Sequence, residues 1–147
     1  MNWIFKKFTD LTLNELYEIL RLRNEVFVVE QNCPYQDLDH KDQHSWHLAG
    51  WHDDQLAAYT RIIPPGISYT EASIGRVVTS PHHRRSGVGR ILMQLSIQHT
   101  FEQFHVDSIR IGAQVYLKKF YTSLGFISTG KEYLEDNIPH VEMLLKK

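Results

Sequence analysis

The chain has 147 residues, with 16 Lys or Arg against 17 Asp or Glu and a formal net charge of -1 at pH 7. That length predicts one domain, 1–147, able to bury a sizeable core without disulfides or a structural metal, and the balanced charge excludes a general field for holding nucleic acid. The single cysteine, Cys33, excludes a disulfide framework and a cysteine metal cluster and is expected to be a free, buried thiol. With no signal-like h-region at the start and no apolar run near the ~18 residues of a membrane span, a soluble cytoplasmic protein without a membrane partner is expected.

"NWIFKKF" at 2–8 reads as a first strand. Thr12 and Glu15 have capping-box spacing, and Leu13, Leu16, Tyr17, Leu20 and Phe27 then recur near helical spacing. Asn32 to Gln43 is polar, contains Pro34 and reads as a loop. "SWHLAGW" and "QLAAYTRII" read as strands joined by a turn at Asp53–Asp54, and "PPG" at 64–66 stops the second. "ASIGRVVT" at 72–79 is the next strand, ended by Ser80–Pro81. Val88, Ile91, Leu92, Leu95 and His99 mark one face of a helix. "SIRIGA" is a strand, "VYLKKFYTSL" a short helix with Gly125 as its C-cap, and "FISTGKEYL" and "HVEMLL" a hairpin through "EDNIP". This mixed α/β (α+β) order fits neither a strictly alternating doubly wound fold nor a sandwich of strands.

One stretch stands out chemically. "HHRRSGVGR" at 82–90 lies between a strand and a helix. Gly87 and Gly89 let backbone approach an anion closely, the helix N-terminus offers unpaired N–H groups and partial positive charge, and Arg84, Arg85 and Arg90 can grip phosphate oxygens. The Gly-x-Gly spelling alone fits equally well a plain turn with a solvated basic patch. It is not a P-loop, which needs Gly-Lys followed by Ser or Thr, nor a dinucleotide fingerprint, whose third glycine position is Leu92 here.

A third spelling fits. "RRSGVG", Arg84 to Gly89, matches Arg/Gln-x-x-Gly-x-Gly/Ala and resembles the pyrophosphate loop of the GNAT superfamily of N-acetyltransferases. "QVYLKKFYTSLGF" resembles a second motif of that family: Phe120, Tyr121, Gly125 and Phe126 fall on the pattern, while Gln114 replaces the usual Asn and Leu117 the usual Ala. "LRNEVFVVEQNCPYQDLD" and "IGRVVTS" are similar to the ElaA-like subgroup. The resemblance covers nearly the whole chain. It implies the GNAT fold: a single mixed, mostly antiparallel twisted sheet of about six to seven strands flanked by helices.

The resemblance also implies an activity, transfer of an acetyl group from acetyl-CoA to a primary amine by direct attack in a ternary complex. The implied acetyl-CoA contacts are Val77, Val78, Thr79, Arg84, Arg85, Ser86, Gly87, Val88, Gly89, Arg90, Gln114 and Tyr121. A backbone N–H of Val77 or Val78 would meet the developing oxyanion, worth roughly 3–4 kcal/mol, and Tyr121 would protonate the leaving thiolate, worth about 10²–10⁴-fold. The base is less defined. Ser73 occupies the family's nearest position and cannot serve; Glu30 is the expected catalytic carboxylate, with Glu71, Asp37, Asp39, His47 and His140 as further candidates. Arg61, Arg76, Asp37, Asp39 and His140 are the residues expected at the acceptor. Two arginines on apolar strands need partners: either they pair with Asp37, Asp39 or Glu30 to fix a substrate loop, or they recognise a substrate carboxylate. His40, His44 and His47 resemble no zinc spacing, so no metal is expected. The expected partners are acetyl-CoA and an amine acceptor, with a homodimer admissible. An acyl-homoserine-lactone-synthase-like enzyme and a non-catalytic acetyl-CoA sensor are the alternatives.

Overall fold

Seven strands and three α-helices follow one another in the order read from the sequence, in a computed structural model that describes residues 1–147. β1 (Asn2–Lys7) leads into α1 (Leu13–Arg23). A capping box sets the start of α1: the Glu15 N–H donates to Thr12 Oγ1 at 3.0 Å and the Thr12 N–H donates to Glu15 Oε1 at 2.8 Å, which satisfies two otherwise orphaned donors. Its buried stripe is Ile19, Leu22, Arg23 and Val26, packed on Ala49, Leu56, Tyr59 and Val78. The expected face is displaced accordingly, with Leu13 and Tyr17 exposed. After Arg23 the helix widens into a π-helical segment, Asn24–Glu30, a rare geometry that is frequent at functional sites.

β2 (Trp46–His52), β3 (Gln55–Ile63) and β4 (Ser73–Thr79) complete an antiparallel sheet in the order β1-β2-β3-β4. α2 (Val88–Phe104) crosses to β5 (Ser108–Gln114), and α3 (Lys118–Ser123) leads to the hairpin of β6 (Ile127–Glu135) and β7 (Ile138–Lys146). Asp136 and Asn137, both with positive φ, form the two-residue turn that hairpins of this twist favour. These strands form a second antiparallel sheet, β5-β7-β6.

The two sheets meet at one place. Ala72 lies beside Ile109 in parallel, and the Arg110 N–H donates to the Ala72 carbonyl at 3.0 Å. Beyond that bridge β4 and β5 no longer pair, so the expected continuous sheet is divided into four and three strands with an opening between them. The main core, including Leu48, Ile62, Leu92, Met93, Ile109, Phe126 and Met143, lies against both sheets, and each such side chain contributes about 1.5–3 kcal/mol on burial. α2 buries Val88, Leu92, Met93, Ser96 and Thr100, whereas Ile91 is 47% exposed. Its small polar residues permit close approach to β3, where the Thr60 and Ser96 hydroxyls share a 2.7 Å hydrogen bond. Cys33 is half-buried rather than buried, with Sγ 3.6 Å from the Asp136 carbonyl oxygen.

Candidate active site

The opening between β4 and β5 is a cleft of about 610 Å³. Gly75, Arg76 and Val77 of β4 form one wall, and Ile111 to Gln114 of β5 with Tyr121 of α3 form the other. β4 is not regular here. Tyr59 pairs with Val78 and Arg61 with Gly75, so β4 carries one residue more than β3 over the interval. That bulge holds Arg76 at φ 51, a left-handed conformation that costs a non-glycine residue on the order of 1–3 kcal/mol. Bulges bend a strand and re-aim its side chains, and this one turns Val77 to the cleft.

The strain at Arg76 is held by a network of ion pairs. Arg23, fully buried, donates from Nε to Asp37 Oδ2 and from Nη1 to Asp42 Oδ1, each at 2.8 Å. Arg61, only 2% exposed, donates to both Asp39 oxygens at 2.7 and 2.9 Å and to Asp42 Oδ1 at 3.0 Å. Arg76 Nη2 donates to the Asp37 carbonyl at 2.9 Å and to Asp39 Oδ2 at 3.3 Å. Its Nε lies 2.7 Å from Asp37 Oδ1 but off the N–H axis, so that contact is ionic without being a hydrogen bond. Burial works to raise the Asp39 and Asp42 carboxyls, but the facing guanidinium groups outweigh it and hold both below the usual carboxylate range. Three arginines thus face three aspartates and pin residues 37–42 against β3 and β4. Arg61 has both terminal nitrogens paired with carboxylates of the protein itself. Reading the strands alone missed Arg23 and Asp42, although a charge within the stripe Ile19, Leu22, Val26 is a signal that a buried partner exists.

The glycine loop lies before α2. Arg85 and Gly87 both have positive φ, 65 and 81. A Cβ placed on Gly87 would meet nothing within 4 Å, so backbone is presented on an open face. Val88 is buried and anchors the start of the helix. Ser86 Oγ donates to the His83 carbonyl at 2.7 Å, and Arg90 donates to Ser123 Oγ at 2.7 Å. Thr79, half-buried, has Cγ2 4.0 Å from the Cβ position of Gly89. Arg85 is exposed and makes no side-chain hydrogen bond or ion pair. An open backbone face, two left-handed residues and a free guanidinium fit an anionic group such as a pyrophosphate.

Glu30 requires a correction. It ends the π-helical segment, does not line the cleft, and chelates Arg84 at 2.6 and 2.8 Å. Those hydrogen bonds hold its carboxyl below the ordinary range, which weakens it as a base while the pair is formed. Glu71 chelates Arg110 and lines a separate concavity of about 640 Å³ at the opposite ends of β4 and β5. His47 is buried away from the cleft, with Nε2 donating to the Asp42 carbonyl at 2.9 Å and Nδ1 accepting from the Tyr59 hydroxyl at 2.7 Å. No group of three His, Cys, Asp or Glu side chains is placed to hold a metal ion.

Tyr121, 5% exposed, packs edge-on against Phe120 and Phe126. Its hydroxyl makes no hydrogen bond within the protein, and the residue lines the cleft. Burial pushes the phenol up to about 12, so the group keeps its proton near neutrality and can donate it. Gln114 and His140 are cross-strand neighbours in the β5–β7 register and both line the cleft.

Residues 10–147 match the family described as acetyltransferase (GNAT) domain. Protein ElaA of Escherichia coli is 39% identical over 145 residues, covering 97% of this chain and 95% of ElaA. The crystal structure of Escherichia coli ElaA superposes with a TM-score of 0.92 at 38% identity over 99% of both chains. That of an acyl-CoA N-acyltransferase from Pseudomonas aeruginosa superposes with a TM-score of 0.93 at 41% identity, again over 99% of both.

Proposed function

Because the chain belongs to the GNAT acetyltransferase family and its ElaA-like subgroup, and is therefore a GNAT-type acyltransferase, we propose that it transfers the acetyl group of acetyl-CoA to a primary amine of a small molecule or protein, by direct attack in a ternary complex. The observation that carries this reading is the cleft between β4 and β5, with the proton-bearing hydroxyl of Tyr121 in its wall and the glycine loop beyond the end of β4. Within it, the 84–90 backbone and Arg85 receive the pyrophosphate. Gln114, at the end of β5, is the amide available to the pantetheine arm. A backbone N–H of Val77 or Val78 beside the bulge stabilises charge on the thioester oxygen. Tyr121 gives its proton to the departing thiolate. Arg84 joins the phosphate contacts by releasing Glu30, an exposed pair of low worth. Arg76, Asp37 and Asp39 shape the acceptor side. The reading takes 1–147 as one cytoplasmic domain; no helix of the structure is long and apolar enough to cross a membrane.

Gly89 offers a clean test, since its φ is ordinary and a Cβ there makes only van der Waals contact. Isothermal titration should show acetyl-CoA binding to the wild-type protein and at least about tenfold weaker binding to Gly89→Leu, with circular dichroism unchanged. No binding by the wild type, or equal binding by both, would overturn the assignment. A tenfold change is about 1.4 kcal/mol, a modest demand for obstructed backbone approach.

A further inference from the structure

The cleft contains one buried imidazole whose proton is assignable. His140 lies on β7, opposite Gln114 of β5 and Tyr133 of β6, and is 8% exposed. Its Nδ1 is 2.7 Å from the Ile138 carbonyl oxygen. A carbonyl can only accept, so Nδ1 carries the hydrogen and the neutral ring keeps its lone pair on Nε2. Nε2 makes no hydrogen bond within the protein and lies 3.5 Å from Glu135 Oε2, whose side chain is 60% exposed. The ring is held in this orientation. It stacks on Tyr133 at 5.5 Å between centroids, and the Tyr133 hydroxyl fills the space over Gly112, where any Cβ would collide with it.

The other titratable groups along the cleft are engaged or carry the wrong proton. Asp39 is bound by Arg61 and Arg76. The Tyr35 hydroxyl donates to Asp37 at 3.0 Å, and Lys41 donates to Ser68 at 3.0 Å. Burial raises the phenols of Tyr69, Tyr121 and Tyr133, which keep their protons. The Cys33 thiol faces the Asp136 carbonyl. Glu135 and Asp136, beside His140, leave negative charge at this end of the cleft.

We propose that His140 is the catalytic base: its Nε2 takes a proton from the ammonium form of the acceptor, while Glu135 attracts that cation and stabilises the imidazolium that forms. This rests on the acyl-transfer reading above. The atoms balance. One ammonium proton goes to Nε2, and the freed nitrogen lone pair bonds to the acetyl carbon. The carbon–sulfur bond breaks as Tyr121 gives its proton to the sulfur. The phenolate recovers a proton from the newly acylated nitrogen, and the imidazolium releases its own to water.

Two acceptors separate a base from a structural residue. Ethylamine is a cation near neutral pH; trifluoroethylamine is largely uncharged there, because the fluorines withdraw electron density. With acetyl-CoA as donor and thiol release as the readout, His140→Gln should lower kcat/KM for ethylamine by about 10²-fold or more and for trifluoroethylamine by less than about threefold. Acetyl-CoA affinity by isothermal titration should stay at the wild-type value. Equal losses with both amines would make His140 structural and overturn the proposal. If the wild type acetylates neither amine, nitrogen NMR of histidine-labelled, acetyl-CoA-bound protein decides. An Nδ1–H tautomer whose Nε2 signal moves on titration supports the base, and an Nε2–H tautomer overturns it. Failure of the wild type to bind acetyl-CoA would instead remove the acyl-transfer reading itself, and this proposal with it.

Discussion

Tyr121 combines two properties that rarely meet in a core residue: its ring is packed between Phe120 and Phe126, and its hydroxyl has no protein partner. A packing role would not need the oxygen. Removing an unpaired hydroxyl costs little, because the apolar replacement leaves nothing unsatisfied. Tyr121→Phe should therefore keep the thermal midpoint and the acetyl-CoA affinity, while kcat by thiol release falls about 10²-fold or more. Activity within about threefold of wild type would return Tyr121 to the core. The spelling "FYTSLGF" marked this residue. That its hydroxyl reaches the cleft depends on where α3 settles against β5, which no local pattern encodes.

At the scale of elements, the bulge in β4 and the loop 37–42 are one device. Asp39 accepts from Arg61, Arg76 and the Lys41 N–H. Asp39→Asn leaves a buried guanidinium short of charge, at a cost of roughly 3 kcal/mol, the lower end for a broken buried pair because Asp39 is partly exposed. The thermal midpoint should fall by about 6–12 °C at this chain length. KM for the acceptor should rise as the bulge loses its support, with acetyl-CoA affinity little changed. Glu30→Gln breaks an exposed pair and should cost less than about 1 kcal/mol. Equal stability of the two variants and the wild type would mean that the loop is solvated rather than pinned. The acidic loop and the strand arginines were legible as candidates for pairing. The choice between pairing and carboxylate recognition was not, because it turns on Arg23 and Asp42, 19 residues apart in sequence and hydrogen-bonded at 2.8 Å.

For the whole molecule, buried ionisable groups tie stability to pH. Burial disfavours the imidazolium forms of His47 and His99 and lowers both below the ordinary value. The unfolded chain then takes up protons before the native one as pH falls through about 6.5, so stability declines there. Asp39 and Asp42 are likewise depressed. Their contribution is complete above the unfolded value of about 3.9 and is lost as pH falls towards the folded values. Urea midpoints should be highest above about pH 7 and fall in two stages on acidification. A midpoint unchanged between about pH 7 and pH 5 would show that the two histidines are not linked to folding.

The amino-acid sequence by itself determined the elements and their order, and with them the glycine loop before α2. The physical causes act over a few residues: the Thr12–Glu15 capping box, strand alternation, and the positive φ available at Gly87 and at Asp136–Asn137. Tertiary structure decided where the sheet divides, since only the Ala72–Ile109 bridge joins β4 to β5. It also decided that Glu30 binds Arg84, 54 residues away, instead of lining the cleft. It placed His140 beside Gln114 and Tyr133 with one nitrogen committed to Ile138. Each of these outcomes depends on which distant charge or carbonyl a side chain meets, and burial makes that meeting energetically decisive.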